Sequence, residues 1–188
     1  MKSIQIVVIL VTVGINITFA QTKKKVVTNK SSKLTHAQVG KDTSTPSAAI
    51  VVFLGSPLID IIQHADSVKA FVLNPQSDQE PKLEGFTITQ KPLLLSKYQI
   101  IQLRRIINTQ RNWVLDKTDK LCPFVPTLGF EFICRGEDVK MLVCLECNMW
   151  RFIHRDSSKT EDCDPAHQIW LTFARGIFPN EISYKSIK

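Results

Sequence analysis

The sequence predicts an α+β fold. It consists of an antiparallel three- to five-stranded sheet, with a central meander at about 128–154, and helices packed on one face. Three observations lead there. Leu128–Cys134 and Val139–Leu145 place apolar side chains at alternate positions, the period of a half-buried strand. Ile100, Leu103, Ile106 and Ile107 recur at helical spacing. Ile169, Trp170, Phe173 and Ile177 repeat that helical spacing near the end of the chain. With 188 residues, 44% of them hydrophobic, there is enough apolar surface for one buried core, placed at 47–188.

The elements follow in order. Ala48–Leu54 is a continuous apolar run that reads as either a buried strand or the start of a helix. Ser56-Pro57 is a helix start, and Leu58, Ile61 and Ile62 carry that helix to about His64. Ser67–Leu73 reads as a mostly buried strand stopped by Asn74-Pro75. Residues 74–85 hold two prolines and a glycine and read as a loop, with a short strand at Phe86–Thr89. Ser96 is an N-cap for the helix that follows. Arg104, Arg105 and Arg111 flank its apolar stripe, where cations complement the negative end of the helix dipole.

The meander is built from two turns. A turn at Gly136-Glu137 sets Cys134 opposite Val139, Phe132 opposite Met141 and Phe130 opposite Val143. A turn one step earlier keeps the same residues on the same face, because side chains alternate with period two. A second turn at Cys147-Asn148 brings in a third strand, Met149–His154, with Trp150 beside Leu145 and Phe152 beside Val143. Asp164-Pro165 supplies the N-cap and first residue of the last helix, which Phe178-Pro179 ends.

The five cysteines divide by face. Cys134 lies on the apolar face and reads as a buried structural residue. Cys144 lies on the other face, so a bond between these two is disfavoured. Cys122, Cys144, Cys147 and Cys163 remain as disulfide or metal candidates. Three readings stay open: two disulfides, a four-thiolate zinc site, or a redox-active Cys144-x-x-Cys147 pair. The spacing C-x21-C-x2-C-x15-C has one knuckle where zinc ribbons have two, and no helix follows the C-x-x-C. The disulfide reading is preferred, and no cofactor other than zinc is suggested. His154 and His167 lack metal-site spacing. Glu131, Glu146, Lys140 and Arg151 fall on the solvent side of the meander as cross-strand charge partners. The sequence has no phosphate-binding loop, no G-x-S-x-G and no G-x-G-x-x-G, and no residue is assigned a catalytic role.

Residues 1–20 read as a secretory signal peptide. Met1-Lys2-Ser3 is a positive start, Ile4–Phe19 an apolar run, and Thr18-Phe19-Ala20 a small-residue cleavage site. Export to the periplasm or the extracellular space follows, where disulfides form. Residues 21–46 read as a lysine-rich disordered leader with six lysines and Asp42 as its one acid. Lys2 and those six lysines equal the whole formal charge of +7, and the rest of the chain balances 17 basic against 17 acidic side chains. The leader therefore suits weak contact with anionic surfaces, and the domain itself gives no signal for nucleic acid.

The stretch CPFVPTLGFEFICRGEDVKMLVCLEC, preceded by LLLSKYQIIQLRRII, resembles a group of small uncharacterised bacterial exported proteins. They share a Cys-x-Phe-x-Pro opening, two strands and a C-x-x-C. The resemblance implies a small bacterial protein and supplies no catalytic residues. The function expected is a non-enzymatic binding or envelope-associated module stabilised by cysteine cross-links. A cysteine-based zinc or thiol-redox protein is the alternative.

Overall fold

The computed structural model describes residues 45–115 and 120–187. The segments read as a signal peptide (1–20) and as a lysine-rich leader (21–46) lie, but for residues 45 and 46, outside the described residues. Among the described residues no helix is long and apolar enough to cross a membrane.

The apolar run Ala48–Leu54 is a helix, α1, capped by the Ser47 hydroxyl, which accepts from the Ile50 N–H at 3.4 Å. Gly55, at φ 88°, ends it, and α2 (Ser56–His64) begins at once with Pro57 in its first turn. That φ is one few residues other than glycine adopt, which is why two short helices can meet at a sharp corner here. The strand β1 (Ser67–Asn74) follows. Next comes an arm of two short strands, β2 (Lys82–Leu83) and β3 (Phe86–Ile88), and then β4 (Leu93–Leu94). Helix α3 (Lys97–Asn108) opens on Ser96, which forms a reciprocal capping box with Gln99. The meander is β5 (Leu128–Cys134), β6 (Glu137–Cys144), β7 (Met149–His154) and β8 (Ser157–Asp162). Helices α4 (His167–Ile177) and α5 (Ile182–Ser186) close the chain.

All strand pairings are antiparallel, in the order β2-β3-β1-β5-β6-β7-β8, with β4 also pairing β1. The α+β class with an antiparallel sheet is correct, but the sheet has eight strands rather than three to five. The additional strands have a physical reason for being invisible. β2 and β4 are two residues each, and β8 (SSKTED) has no apolar residue to show a period. The loop expected at 74–85 therefore contains β2.

The facing of the meander is as read, but its pairs are shifted. The first turn is Arg135-Gly136, both at positive φ (51° and 85°), as a type I′ hairpin turn requires. Phe132 therefore faces Val139, Phe130 faces Met141 and Leu128 faces Val143, while Cys134 faces Glu137. In the next hairpin Val143 faces Trp150 and Met141 faces Phe152. Each slip is by two residues across the pair, so no side chain changes face.

Helices α1–α5 bury their apolar residues on one face of the sheet. That core joins Ile50, Ile62, Leu103, Ile107, Trp170 and Tyr184 to Phe130, Phe132, Met141, Trp150 and Phe152 from the strands. The last helix differs from its expected stripe. Asp164–Ala166 forms a 3-10 turn ahead of α4, and Leu171 and Ala174 are buried with Trp170 and Ile177. Ile169 faces outward, 39% exposed. Arg104 reaches across to the end of α2. It donates from Nε to the Ile62 carbonyl at 2.9 Å and from Nη2 to the Ala65 carbonyl at 3.2 Å, satisfying the open carbonyls at the end of α2.

The sheet's other face carries a second, smaller apolar cluster of Phe71, Leu73, Leu83 and Leu142. The β2–β3 arm folds across this face, and Gly129 makes room for it. A Cβ on Gly129 would stand 2.7 Å from Leu83 Cδ2 and 3.2 Å from Leu73 Cδ1. Gly129→Val is expected to push the arm off and cost about 1–3 kcal/mol, the usual range for overpacking. Urea unfolding measures the loss, and faster amide exchange in residues 82–88 locates it.

Candidate functional site

The sequence-predicted cysteines gather around the β6–β7 turn, but in unequal roles. β6 ends at Cys144, and the chain reverses through residues 145–148, with Asn148 at φ 51°. This turn brings the two Cα atoms of the C-x-x-C to 5.4 Å, and Cys144 and Cys147 are joined as a disulfide. Cys144 is buried, whereas Cys147 is partly exposed. The Cys147 N–H donates to Cys144 Sγ at 3.2 Å.

Cys163 is a free, buried thiol that belongs to the helix-side core. Burial, reinforced by the Asp162 charge, pushes its pKa far above the ordinary thiol range. Cys134 is also free and buried, 4% exposed on the core face. Cys122 is free and exposed. Its Sγ lies 3.8 Å from Met149 Sδ, and Met149 is the cross-strand partner of Cys144. The structure thus links one pair of the four candidates and places a third thiol near it. Among the described residues no group of three or more His, Cys, Asp or Glu side chains is arranged to hold a metal.

A lysine not singled out in the sequence ties this end together. Lys120 Nζ donates to the Cys147 carbonyl at 3.1 Å, to Asp162 at 2.8 Å and to Asp164 at 2.6 Å. Asp162 is buried, 5% exposed. Burial opposes the charge on Lys120, but its hydrogen bonds to Asp162 and Asp164 outweigh this and hold its pKa above the ordinary lysine value. Burial likewise opposes the charge on Asp164, and the hydrogen bonds from Lys120 and Asn148 bring its pKa below the ordinary value. His167 bonds to the Asn148 side chain at the start of α4, and His154 Nδ1 bonds to the Asp138 carbonyl at 2.9 Å. Both histidines are held by local polar partners.

A second feature lies on the outer face of the sheet, and sequence periodicity did not point to it. The arm and β4 enclose a groove of about 620 Å³ beside β1, β5 and β6. Phe71, Leu83, Ile88, Pro92 and Leu94 make its apolar surface. Leu94 is 64% exposed, a large apolar side chain with no cover. Charges frame the groove. Lys69 pairs with Glu131 at 2.9 Å, and Lys140 pairs with Glu84 and Asp138 at 3.1 Å each. Lys82 pairs with Asp78. Lys91 is exposed and has no ion pair among the described residues. The cross-strand pairing expected between Glu131 and Lys140 is present in register, but each side chain takes its ionic partner elsewhere. Arg151 stacks over Phe124 at 4.2 Å and donates to Thr160, and Glu146 lies exposed in the β6–β7 turn.

Comparison of the chain with protein-family models, curated proteins and solved structures gives no match.

Proposed function

We propose that the chain is an exported, non-enzymatic binding module whose ligand lies in the outer-face groove. The observation that carries this reading is an apolar groove left open on a sheet face that the arm covers in part. Helices protect one face and the arm protects part of the other, so the uncovered Leu94 and its neighbours form a patch that a partner molecule would bury. Size supports it, since about 620 Å³ falls within the usual range for small-molecule sites. Three of the four lysines are neutralised by carboxylates, so Lys91 is the cation left for a ligand. The ligand class is an apolar body with one anionic end. The Cys144–Cys147 bond then acts as a staple at the far end of β6, in keeping with an oxidising compartment.

The test uses anilinonaphthalene sulfonate, an apolar ring system carrying one sulfonate. Saturable fluorescence enhancement with one site per chain is expected. Leu94→Asp is expected to weaken it at least about tenfold, because the lost apolar contact is worth roughly 1.5–3 kcal/mol. Its melting temperature should stay unchanged, since Leu94 is exposed. Non-saturating binding, or a Leu94→Asp variant that binds as well as the parent, overturns the reading.

A thiol function is the second reading. It is favoured by the placement of the exposed Cys122 near a formed C-x-x-C disulfide.

A further inference from the structure

We propose that Cys122, Cys144 and Cys147 form a three-thiol exchange site, in which the disulfide passes from Cys144–Cys147 to Cys122–Cys147. This stands on different residues from the groove and does not depend on it.

Two contacts fix the chain around Cys122 along the β6–β7 turn. Lys120 Nζ holds the Cys147 carbonyl at 3.1 Å, and Cys122 Sγ touches Met149 Sδ at 3.8 Å. Residues 120–122 thus run beside residues 147–149. Met149 is paired with Cys144, so the free thiol and the disulfide share the outer face of the sheet.

The environment also distinguishes the two sulfurs of the bond. Cys147 is partly exposed and Cys144 is buried, so an incoming thiolate reaches Cys147 Sγ. The leaving sulfur is then Cys144 Sγ, which already accepts the Cys147 N–H at 3.2 Å. A hydrogen bond aimed at the atom that gains charge favours that direction of cleavage.

The step balances within the chain. Cys122 gives its proton to water and its thiolate attacks Cys147 Sγ. The Cys122–Cys147 bond forms as the Cys144–Cys147 bond breaks. The electron pair of the broken bond stays on Cys144 Sγ, which takes a proton from water and becomes a buried thiol. One disulfide is lost and one is gained, so no oxidant or reductant is consumed. Cys163 takes no part, because its thiol is sealed in the core and held neutral.

The test is peptide mapping of the full-length chain. The protein is equilibrated at about pH 8, near the ordinary thiol pKa, in glutathione and glutathione disulfide. It is then quenched with acid and alkylated. The wild type is expected to give both a Cys144–Cys147 and a Cys122–Cys147 linked peptide, with alkylated Cys144 accompanying the second. Cys144→Ala, checked for folding by near-UV circular dichroism, is expected to form the Cys122–Cys147 bond and lose about 2 Da from its reduced mass. Cys122→Ser is expected to hold the Cys144–Cys147 bond alone.

The proposal is overturned by a wild type in which Cys144–Cys147 is the sole linkage and Cys144 is never alkylated. It is equally overturned by a folded Cys144→Ala whose Cys122 and Cys147 each carry glutathione or an alkyl group. Links between separate chains, seen as dimers on a non-reducing gel, also count against it. If Cys144→Ala does not fold, the wild-type map decides.

Discussion

Replacing Trp150 with alanine is expected to remove about 3–5 kcal/mol of folding stability, the range for deleting a large buried aromatic. For a domain of this size that corresponds to a fall in melting temperature on the order of 10–20 °C. Trp150 is fully buried at the centre of an aromatic cluster. Its ring lies 4.2 Å from that of Trp113 and 5.8 Å from those of Phe152 and Trp170, the last edge to face. These contacts join β7, the segment after α3, and α4, so one side chain fastens three elements. Its indole N–H has no hydrogen-bond partner among the described residues, so the loss is one of packing. Trp150→Phe should therefore recover much of the stability, which urea unfolding of the two variants compares directly. Equal losses in both would show that a phenyl ring cannot replace the packing of the larger indole.

The second large effect is expected at Lys120. Lys120→Met keeps the aliphatic length but removes the charge that Asp162 and Asp164 share, and leaves the Asp162 carboxylate buried without its cation. Breaking a buried pair costs more, but Lys120 and Asp164 both reach solvent, so a loss of about 2–3 kcal/mol is expected at neutral pH. The pH dependence identifies the cause. Asp164 is held below its ordinary value of 3.8, so its contribution is present above that pH and disappears as pH falls through the lower folded value. Lys120 is held above its ordinary value of 10.5, so its contribution is present below that pH and fades as pH rises through the higher folded value. The difference between parent and variant should be widest between these limits and shrink on both sides. Urea unfolding at pH 3, 7 and 11 measures it, and a pH-independent difference would assign Lys120 a packing role only.

How much of this was legible in the sequence depends on whether a residue's neighbours are local. The core face of the meander was readable because alternation assigns Phe130, Phe132, Met141 and Val143 to one side whatever the register. The register itself rested on whether the turn centred on Arg135-Gly136 or one residue later. An arginine at positive φ gives no signal in composition. Helix α3 was readable through Ser96, whose capping partner Gln99 is three residues away. Of the arm, β3 was readable at Phe86–Thr89, but β2 and the folding of the arm over the sheet were not, because their anchor is the empty space above Gly129, filled by Leu83 from a distant segment.

The same division holds at the site. The C-x-x-C spacing permitted a disulfide, a metal or a redox pair, and only the turn geometry brings its two cysteines together. That Cys122 stays exposed beside Met149 depends on the path of the 120–127 segment over the sheet. Lys120 fixes that path through residues 27 and 44 positions away. The groove was hidden for the same reason, since β1, the arm, β4, β5 and β6 all contribute to it.

The feature that made β8 hard to read has a consequence for the molecule in a crowded solution. β8 stands last in the strand order, with β7 its one neighbouring strand among the described residues, and an end strand offers backbone groups to any passing chain that could extend the ladder. Its sequence, Ser157 to Asp162, offers such a chain hydroxyls and charges instead of an apolar strip. Lys159 and Glu161 lie within it, and Val114 already bridges to Asp162 at its end. A hydrophobic β8 would have been easy to recognise and would have invited chain-to-chain association. The polarity that conceals the strand from a reader also protects the folded protein from edge-to-edge aggregation.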